Sequence, residues 1–297
     1  MPTHQMKISL FHNQTAGDAT SLAWIRELIE TSGHEVVHVF NREAEVGELI
    51  DERTELVVAA GGDGTVAAAA RLVAGRSIPL ALLPLGTANN IARAVQAEAS
   101  SEQLVAGWDT ATRRRFDLGY VCGPWGERCF LEAVGVGLIP ATIASIHTSP
   151  FDASDVNSKL ARATIRYCHT LSHLEPHRST LWVDGRELTD DFLVAEVMNT
   201  PSLGPNLVMS ADADPSDGHL RVVTATEKHR AELAEYLQDR IEGREGHLSL
   251  PAMRAREVEI RSQADAHIDD EVVRSPIPEA MSIRVAGAIE ILVPGAY

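Results

Sequence analysis

Cysteine is scarce in this 297-residue chain, which has only Cys122, Cys129 and Cys168. An odd number at sparse spacing excludes a disulfide framework and a cysteine-built zinc cluster. Cys122 and Cys129 flank Gly123-Pro124-Trp125-Gly126 and are expected to face each other across a hairpin as free thiols. Lysine is almost absent (Lys7, Lys159 and Lys228), so the basic charge is nearly all arginine. Basic residues are outnumbered by acidic ones, for a net charge of −16. That balance argues against nucleic-acid binding and against broad attraction to anionic lipid surfaces. A lipid substrate would need a local apolar or basic docking patch. No apolar run approaches the ~20 residues that span a bilayer. The segment Met1-Pro2-Thr3-His4-Gln5-Met6-Lys7 lacks the apolar core of a signal peptide, so a cytoplasmic location is the expectation. A G-x-x-x-x-G-K-[S/T] P-loop and a good G-x-G-x-x-G fingerprint are also missing. Any phosphate site must be built from other turns. No internal repeat or low-complexity stretch is present.

What is present is an ordinary globular balance, 44% apolar and 23% charged, enough for one large domain or two ordinary ones. The central stretch is Gly61-Gly62-Asp63-Gly64-Thr65. Before it, Leu56-Val57-Val58-Ala59-Ala60 reads as a buried strand; after it, an alanine-rich run from Val66 reads as a helix. Glycine permits close backbone approach to a ligand, and a helix start offers unpaired N–H groups to phosphate oxygens. Asp63 can hold a cation-linked phosphate or a nucleophile, and Thr65 can cap the helix or donate to phosphate. The plain alternative is a tight connection with Asp63 or Thr65 as N-cap. A second strand, Ile78 to Leu83, ends in Pro84-Leu85-Gly86-Thr87-Ala88-Asn89-Asn90 before another helical run. Two successive turns of this kind present their loops at one strand-end edge of a sheet, where ligands sit in open α/β folds.

The pair Gly-Gly-Asp-Gly-Thr and Pro-Leu-Gly-Thr-Ala-Asn-Asn-Ile-Ala-Arg resembles the diacylglycerol kinase catalytic domain shared by bacterial soluble lipid kinases, sphingosine kinases and ceramide kinases. NAD kinases and phosphofructokinases share the first element; the second points to the lipid branch. The resemblance implies ATP and Mg²⁺ as cofactors and a nucleotide cradle of Asn13, Gly61, Gly62, Gly64, Thr65, Gly86, Thr87 and Asn89. Asn13 and Gly17 match the family's first turn, with Gln14 where proline is usual.

Strands alternate with helices up to about residue 107, which predicts a parallel sheet with right-handed crossovers. After Arg113-Arg114-Arg115 the texture changes to short runs with turn signals, which predicts a mainly antiparallel second domain, a β-sandwich by resemblance. The expected organisation is a nucleotide-binding α/β domain (1–118), a β-rich lipid domain (119–288), and a closing segment (289–297) that returns to the first. Gly135-Val136-Gly137 reads as a tight bend, 154–174 as a helix, and Asp184-Gly185 as a hairpin turn. Thr224 and Glu227 read as a capping box. His169, His173 and His177 have a metal-like helical spacing, but Pro176 should end the helix first. Resemblance assigns Mg²⁺ to the Asp217 side chain and the carbonyls of Asp214 and His219, and places Glu271 near the reacting phosphate. Two departures stand out. Asn90 replaces an aspartate found in several family members, and Asp270 replaces the glycine of Asp-Gly-Glu, which predicts a strained or reshaped turn.

The reading that follows is an ATP- and Mg²⁺-dependent lipid kinase acting on a diacylglycerol- or sphingoid-like alcohol at a cleft between domains, with Asp63 and Glu271 catalytic. Lipid substrate and peripheral or transient membrane contact are its expected partners; the oligomeric state stays open, a homodimer among the options. The alternatives are an NAD kinase-type nucleotide kinase and a catalytically impaired nucleotide-binding regulator.

Overall fold

Every residue of Leu56–Gly61 is buried, because a strand covered on both faces needs a continuous apolar run rather than an alternating one. This strand is central to the first of two units into which the chain divides, Met1–Asp117 with Gly287–Tyr297, and Leu118–Ala286. The computed structural model describes residues 4–12, 21–41, 50–148, 159–274 and 280–295.

Unit 1 runs β1 (Lys7–His12), α1 (Leu22–Thr31), β2 (Glu35–Asn41), β3 (Leu56–Gly61), α2 (Asp63–Val73), β4 (Leu80–Pro84), α3 (Asn90–Ala94) and α4 (Ser101–Gly107). The parallel order is β4-β3-β1-β2. Ser21 caps α1 by accepting the Trp24 N–H at 3.1 Å. Gly33 ends it at φ 94°, with Gly33 N–H on Glu30 O (3.0 Å) and His34 N–H on Ile29 O (3.3 Å), a Schellman closure. Ile25 and Ile29 of α1 pack with Ile8, Leu10, Leu56 and Val58 in the core. Two arginines of the run are ion-paired, Arg113 with Glu290 and Arg115 with the buried Asp117.

From β5 (Thr112–Gly123) the chain enters unit 2: β6 (Gly126–Phe130), β7 (Ala133–Gly137), α5 (Leu138–Thr148), α6 (Lys159–His173), β8 (His177–Val183), β9 (Arg186–Met198), β10 (Ser202–Leu203), β11 (Leu207–Val208), β12 (Leu220–Thr226), α7 (Arg230–Ile241), β13 (Ala252–Ala255), β14 (Glu257–Ser262), β15 (Ala266–Ile268), β16 (Glu271–Val273) and β17 (Ala280–Val293). Its strands pair antiparallel in the order β16-β15-β7-β9-β8-β14-β17, with β12 between β9 and β13, forming a β-sandwich domain. The last residues of β17 pair in parallel with β4, Ile291 opposite Leu80. So an α/β unit with a parallel sheet and a largely antiparallel unit make up the chain. Among the described residues no helix is long and apolar enough to cross a membrane.

Local sequence signals misplace several details. Gly135-Val136-Gly137 is a buried strand, not a bend, because Gly135 lies opposite Glu196, where a Cβ would fall 2.3 Å from the Glu196 carboxyl group. Cys122 lies opposite Glu127 and Cys129 opposite Tyr120, so the two thiols do not face each other. The cap ahead of α7 is Thr226, whose N–H bonds to His229 Nδ1 at 3.0 Å, not Thr224 with Glu227. α6 ends at His173 and His177 opens β8.

The Asp184-Gly185 turn is a left-handed pair (φ 48° and 82°) whose aspartate also reaches another strand. Asp184 Oδ1 accepts the N–H groups of Arg256 (3.0 Å) and Glu257 (2.9 Å) at the start of β14. Asp184→Ala should lower stability by about 1–2 kcal/mol, from alanine's left-handed strain and two lost caps, measured by urea unfolding.

Candidate functional site

The two glycine turns of unit 1 touch backbone to backbone. β3 and β4 run in register, with Gly61 opposite Pro84, so their following loops lie side by side at the C-terminal ends of the strands. A Cβ on Gly86 would fall 2.4 Å from Gly62 Cα, and one on Gly62 would fall 3.2 Å from Gly86 Cα. Leu85 N–H closes the contact on Gly61 O at 3.0 Å. A Cβ on Gly61 would meet the Thr65 hydroxyl at 2.3 Å, so the buried Thr65 side chain lies directly over that backbone. These glycines are close-approach residues, set by the loops themselves.

Asn89 shapes the second loop from a left-handed conformation (φ 54°, ψ 43°). Its Oδ1 accepts Gly86 N–H (3.0 Å) and its Nδ2 donates to Gly86 O (2.9 Å) and Pro84 O (3.4 Å). Asp63, the first residue of α2, crosses to this loop: Oδ1 accepts Ile91 N–H at 3.0 Å at the start of α3. Burial pushes the Asp63 carboxyl above the usual carboxylate range, against N–H groups of Ile91, Asn90, Asp63 and Asn89, which favour the anion. Asn90 is buried at the α3 start. Gly62, Gly64 and Gly86 are partly exposed and Thr87 is exposed. The cradle therefore divides into residues that build it (Gly61, Asp63, Thr65, Asn89, and Gly86, whose N–H is held by Asn89) and the more accessible Gly64 and Thr87. Asn13 lies outside the described residues.

In unit 2, Glu271 is exposed and pairs with Arg128 Nη1 at 2.7 Å. It closes a hairpin in which Ile268 lies opposite Glu271, with Asp269 and Asp270 as the turn. The left-handed residue is Asp269 (φ 51°), not Asp270. Aspartate tolerates that region better than most residues, so the glycine absent at 270 leaves no strain there. The Asp269 carboxylate accepts the N–H groups of Leu131 (3.1 Å) and Glu132 (2.8 Å), and Asp269 N–H donates to Ala133 O (2.9 Å).

Beneath this hairpin lies a pair that motif reading misses. His267 and Glu196 are buried, with Nε2 2.7 Å from Oε2. His267 Nδ1 lies 2.7 Å from the Asp269 carbonyl, which can only accept, so Nδ1 carries a hydrogen. One further proton must lie between Nε2 and Oε2. Burial raises the Glu196 carboxyl, opposed by His267; burial alone would lower the imidazole, but Glu196 and Asp269 together outweigh it and the ring is raised. The available signal was a carboxylate inside the apolar run Phe192-Leu193-Val194-Ala195-Glu196-Val197-Met198. A charge in a buried strand requires a partner.

The residues to which resemblance assigns Mg²⁺ lie close together but do not fit a resident cation. Asp217 Oδ2 accepts from Arg221 Nη2 (3.1 Å) and Arg254 Nη2 (3.2 Å), and Oδ1 accepts His219 N–H (2.9 Å). The Asp214 carbonyl accepts Asp217 N–H at 3.3 Å, and His219 is engaged through its ring, Nδ1 on Asp217 O (2.8 Å) and Nε2 with Arg256 (3.2 Å). Both carboxylate oxygens of Asp217 are used, and the charge beside them is already positive.

Comparison with known proteins agrees with these two units. The family described as diacylglycerol kinase catalytic domain matches residues 7–121, and that described as YegS C-terminal NAD kinase beta sandwich-like domain matches residues 142–293. A protein named diacylglycerol kinase from Mycobacterium tuberculosis (strain ATCC 25618 / H37Rv) is 29% identical over 289 residues, 90% of this chain and 84% of its own length. A crystal structure titled as a diacylglycerol kinase from Bacillus anthracis str. Sterne superposes with a TM-score of 0.72 at 16% identity, covering 99% of this chain and 98% of that one.

Two outcomes test this geometry. Gly86→Ala should destabilise the protein by about 1–3 kcal/mol, since backbone at Gly62 cannot yield as a side chain tip could; thermal unfolding measures it. The His267–Glu196 pair holds one proton that the unfolded chain loses above about pH 6.5. Stability should therefore fall as pH rises above about 6.5, by up to about 1.4 kcal/mol per unit, through the raised folded value. Urea unfolding between weakly acid and alkaline pH should show this slope, and the double variant His267→Gln/Glu196→Gln, which removes both titrating groups, should abolish it.

Proposed function

The chain belongs to the diacylglycerol kinase catalytic domain family and carries its YegS-type second domain, and from that premise we propose that it transfers the γ-phosphoryl group of ATP to a lipid hydroxyl. The observation that carries this is the Gly62–Gly86 contact spanned by Asp63, which brings two glycine turns together at adjacent strand ends. Such a cradle suits the phosphates of a nucleotide. Mg²⁺ would enter with the nucleotide as part of the substrate. Asp63 would organise the phosphates and their cation, with Gly64 and Thr87 donating to phosphate oxygens and Gly86 leaving room for close approach. Glu271 would orient or deprotonate the acceptor hydroxyl, with Arg128 releasing it. A diacylglycerol- or sphingoid-like alcohol is the acceptor class we favour.

Contact with an anionic membrane belongs to the same proposal. On a chain of net charge −16, α6 contains no acidic residue. It places Lys159, Arg162, Arg166, His169 and His173 at alternating spacings of three and four, and buries Ala161, Thr164, Tyr167 and Leu171 on the other side. On neighbouring α5, Ile146 is 51% exposed. A basic stripe beside an exposed aliphatic side chain is the local patch that a peripheral encounter needs.

The test is transfer from labelled ATP with Mg²⁺ to diacylglycerol, sphingosine, ceramide, monoacylglycerol, phosphatidylglycerol and NAD. Label should enter an organic-phase lipid. Asp63→Asn should lower kcat/KM by about 10²-fold or more, and Glu271→Gln should lower kcat by about 10²–10⁴-fold with nucleotide affinity kept. Label in NAD instead would move the protein to the nucleotide-kinase reading. Bound ATP with no transfer to any acceptor would favour a regulator.

A further inference from the structure

Resemblance places a divalent cation at Asp217, yet the chain supplies its own cations there. Arg221 lies four residues after Asp217, as the second residue of β12. Its side chain is 8% exposed. Nε donates to Asp212 Oδ2 (3.0 Å), while Nη2 donates to the Asp212 carbonyl (3.0 Å) and to Asp217 Oδ2 (3.1 Å). Arg254 comes from β13, and the ladder sets it directly opposite Arg221. Like charges directly opposed on antiparallel strands repel. Here both guanidiniums converge on one oxygen, Asp217 Oδ2, with Arg254 Nη2 at 3.2 Å. Asp217 is therefore the anion that lets two arginines share a ladder position, and they in turn neutralise it. Asp212, held down by Ser210 and Arg221, completes the group.

We propose that Arg221 and Arg254 take the place of a divalent cation at Asp217, so that the 212–221 loop of this protein folds and stays folded without a bound metal. The two functions are exclusive. A divalent ion on the same carboxylate would face two guanidiniums, one of them largely buried and unable to swing into water. The inference is independent of the kinase reading, because it concerns folding of unit 2 and not turnover.

The experiment is thermal unfolding of the full chain, free of nucleotide, in EDTA and in millimolar Mg²⁺, Ca²⁺ or Mn²⁺. The quantity read is the change in Tm on adding cation, compared between wild type and Asp217→Asn. The two should respond alike, to within about 1 °C. A wild-type rise that Asp217→Asn abolishes would overturn the proposal. The double variant Arg221→Ser/Arg254→Ser frees Asp217. It should melt lower in EDTA and regain several degrees with cation, as mass action requires once cation exceeds its Kd about tenfold. A folded double variant indifferent to all three cations would also overturn it, since the arginines would then stand where no cation could. Should the double variant not fold, the comparison of wild type with Asp217→Asn still decides.

Discussion

The approach of Gly62 to Gly86 is the constraint on which the rest of the candidate site depends. A side chain at Gly86 would sit 2.4 Å from the neighbouring backbone, so neither loop could keep its course. With both Cβ atoms missing, the ends of two parallel strands can carry turns in direct contact. Asp63 then reaches from one helix start to the next, and Asn89 folds its loop by bonding its own backbone. The polar side chains of the motif are thus partly consumed as structure. What remains for a ligand is mostly backbone N–H, which is geometrically fixed and cannot rotate away. Such preorganised donors stabilise developing charge without reorganising at the moment of reaction.

A comparable division of labour holds in the second unit. Glu271 is exposed and its pair with Arg128 is solvent-screened, so that contact adds little stability. The hairpin that carries Glu271 is fixed instead from below. Asp269 clasps the N–H groups of Leu131 and Glu132, and the buried His267 holds the Asp269 carbonyl while its other nitrogen engages Glu196. Removing one partner of a buried pair costs several kcal/mol, because the other charge is left unpaired. The position of the exposed glutamate is thus set by neighbours of its backbone and not by its own side chain.

Local signals in the sequence were read well where the physics is local. The left-handed pair Asp184-Gly185 and the two glycine turns each depend on residues within one loop. The alternation of strands and helices up to α4 follows from apolar period alone. What stayed hidden depends on strand register. Glu196 meets His267 across 71 residues, and Arg128 meets Glu271 across 143. No spacing rule reports such partners. Gly135-Val136-Gly137 failed for the same reason. Glycine there makes room for a carboxyl group on the adjacent strand rather than for a turn. Asp270 was expected to strain a turn because the family has glycine there. The left-handed position proved to be its neighbour, Asp269, whose side chain uses that conformation to reach three successive N–H groups.

The Asp217 loop shows how a motif can be present in letters while its electrostatics is set by residues outside it. The Pro-x-Asp-Gly-x-Leu pattern is intact, and its aspartate is where resemblance places it. The outcome is decided by Arg221 and Arg254, one just past the motif and one on a strand about 30 residues beyond it, brought opposite each other by the β12–β13 ladder. A divalent ion about 4 Å from a guanidinium meets repulsion of roughly 8 kcal/mol at an effective dielectric of 20, and two guanidiniums roughly double that. A ligating carboxylate oxygen about 2.1 Å away returns roughly 16 kcal/mol on the same scale, so the two repulsions cancel it and nothing is left to offset the ion's dehydration. The turn's backbone is meanwhile closed by Asp217 N–H on Asp214 O and by His219 N–H on Asp217 Oδ1, and neither bond needs a cation. The identity of the counter-charge at this turn is thus set by which residues face it across the ladder, not by the motif that names it.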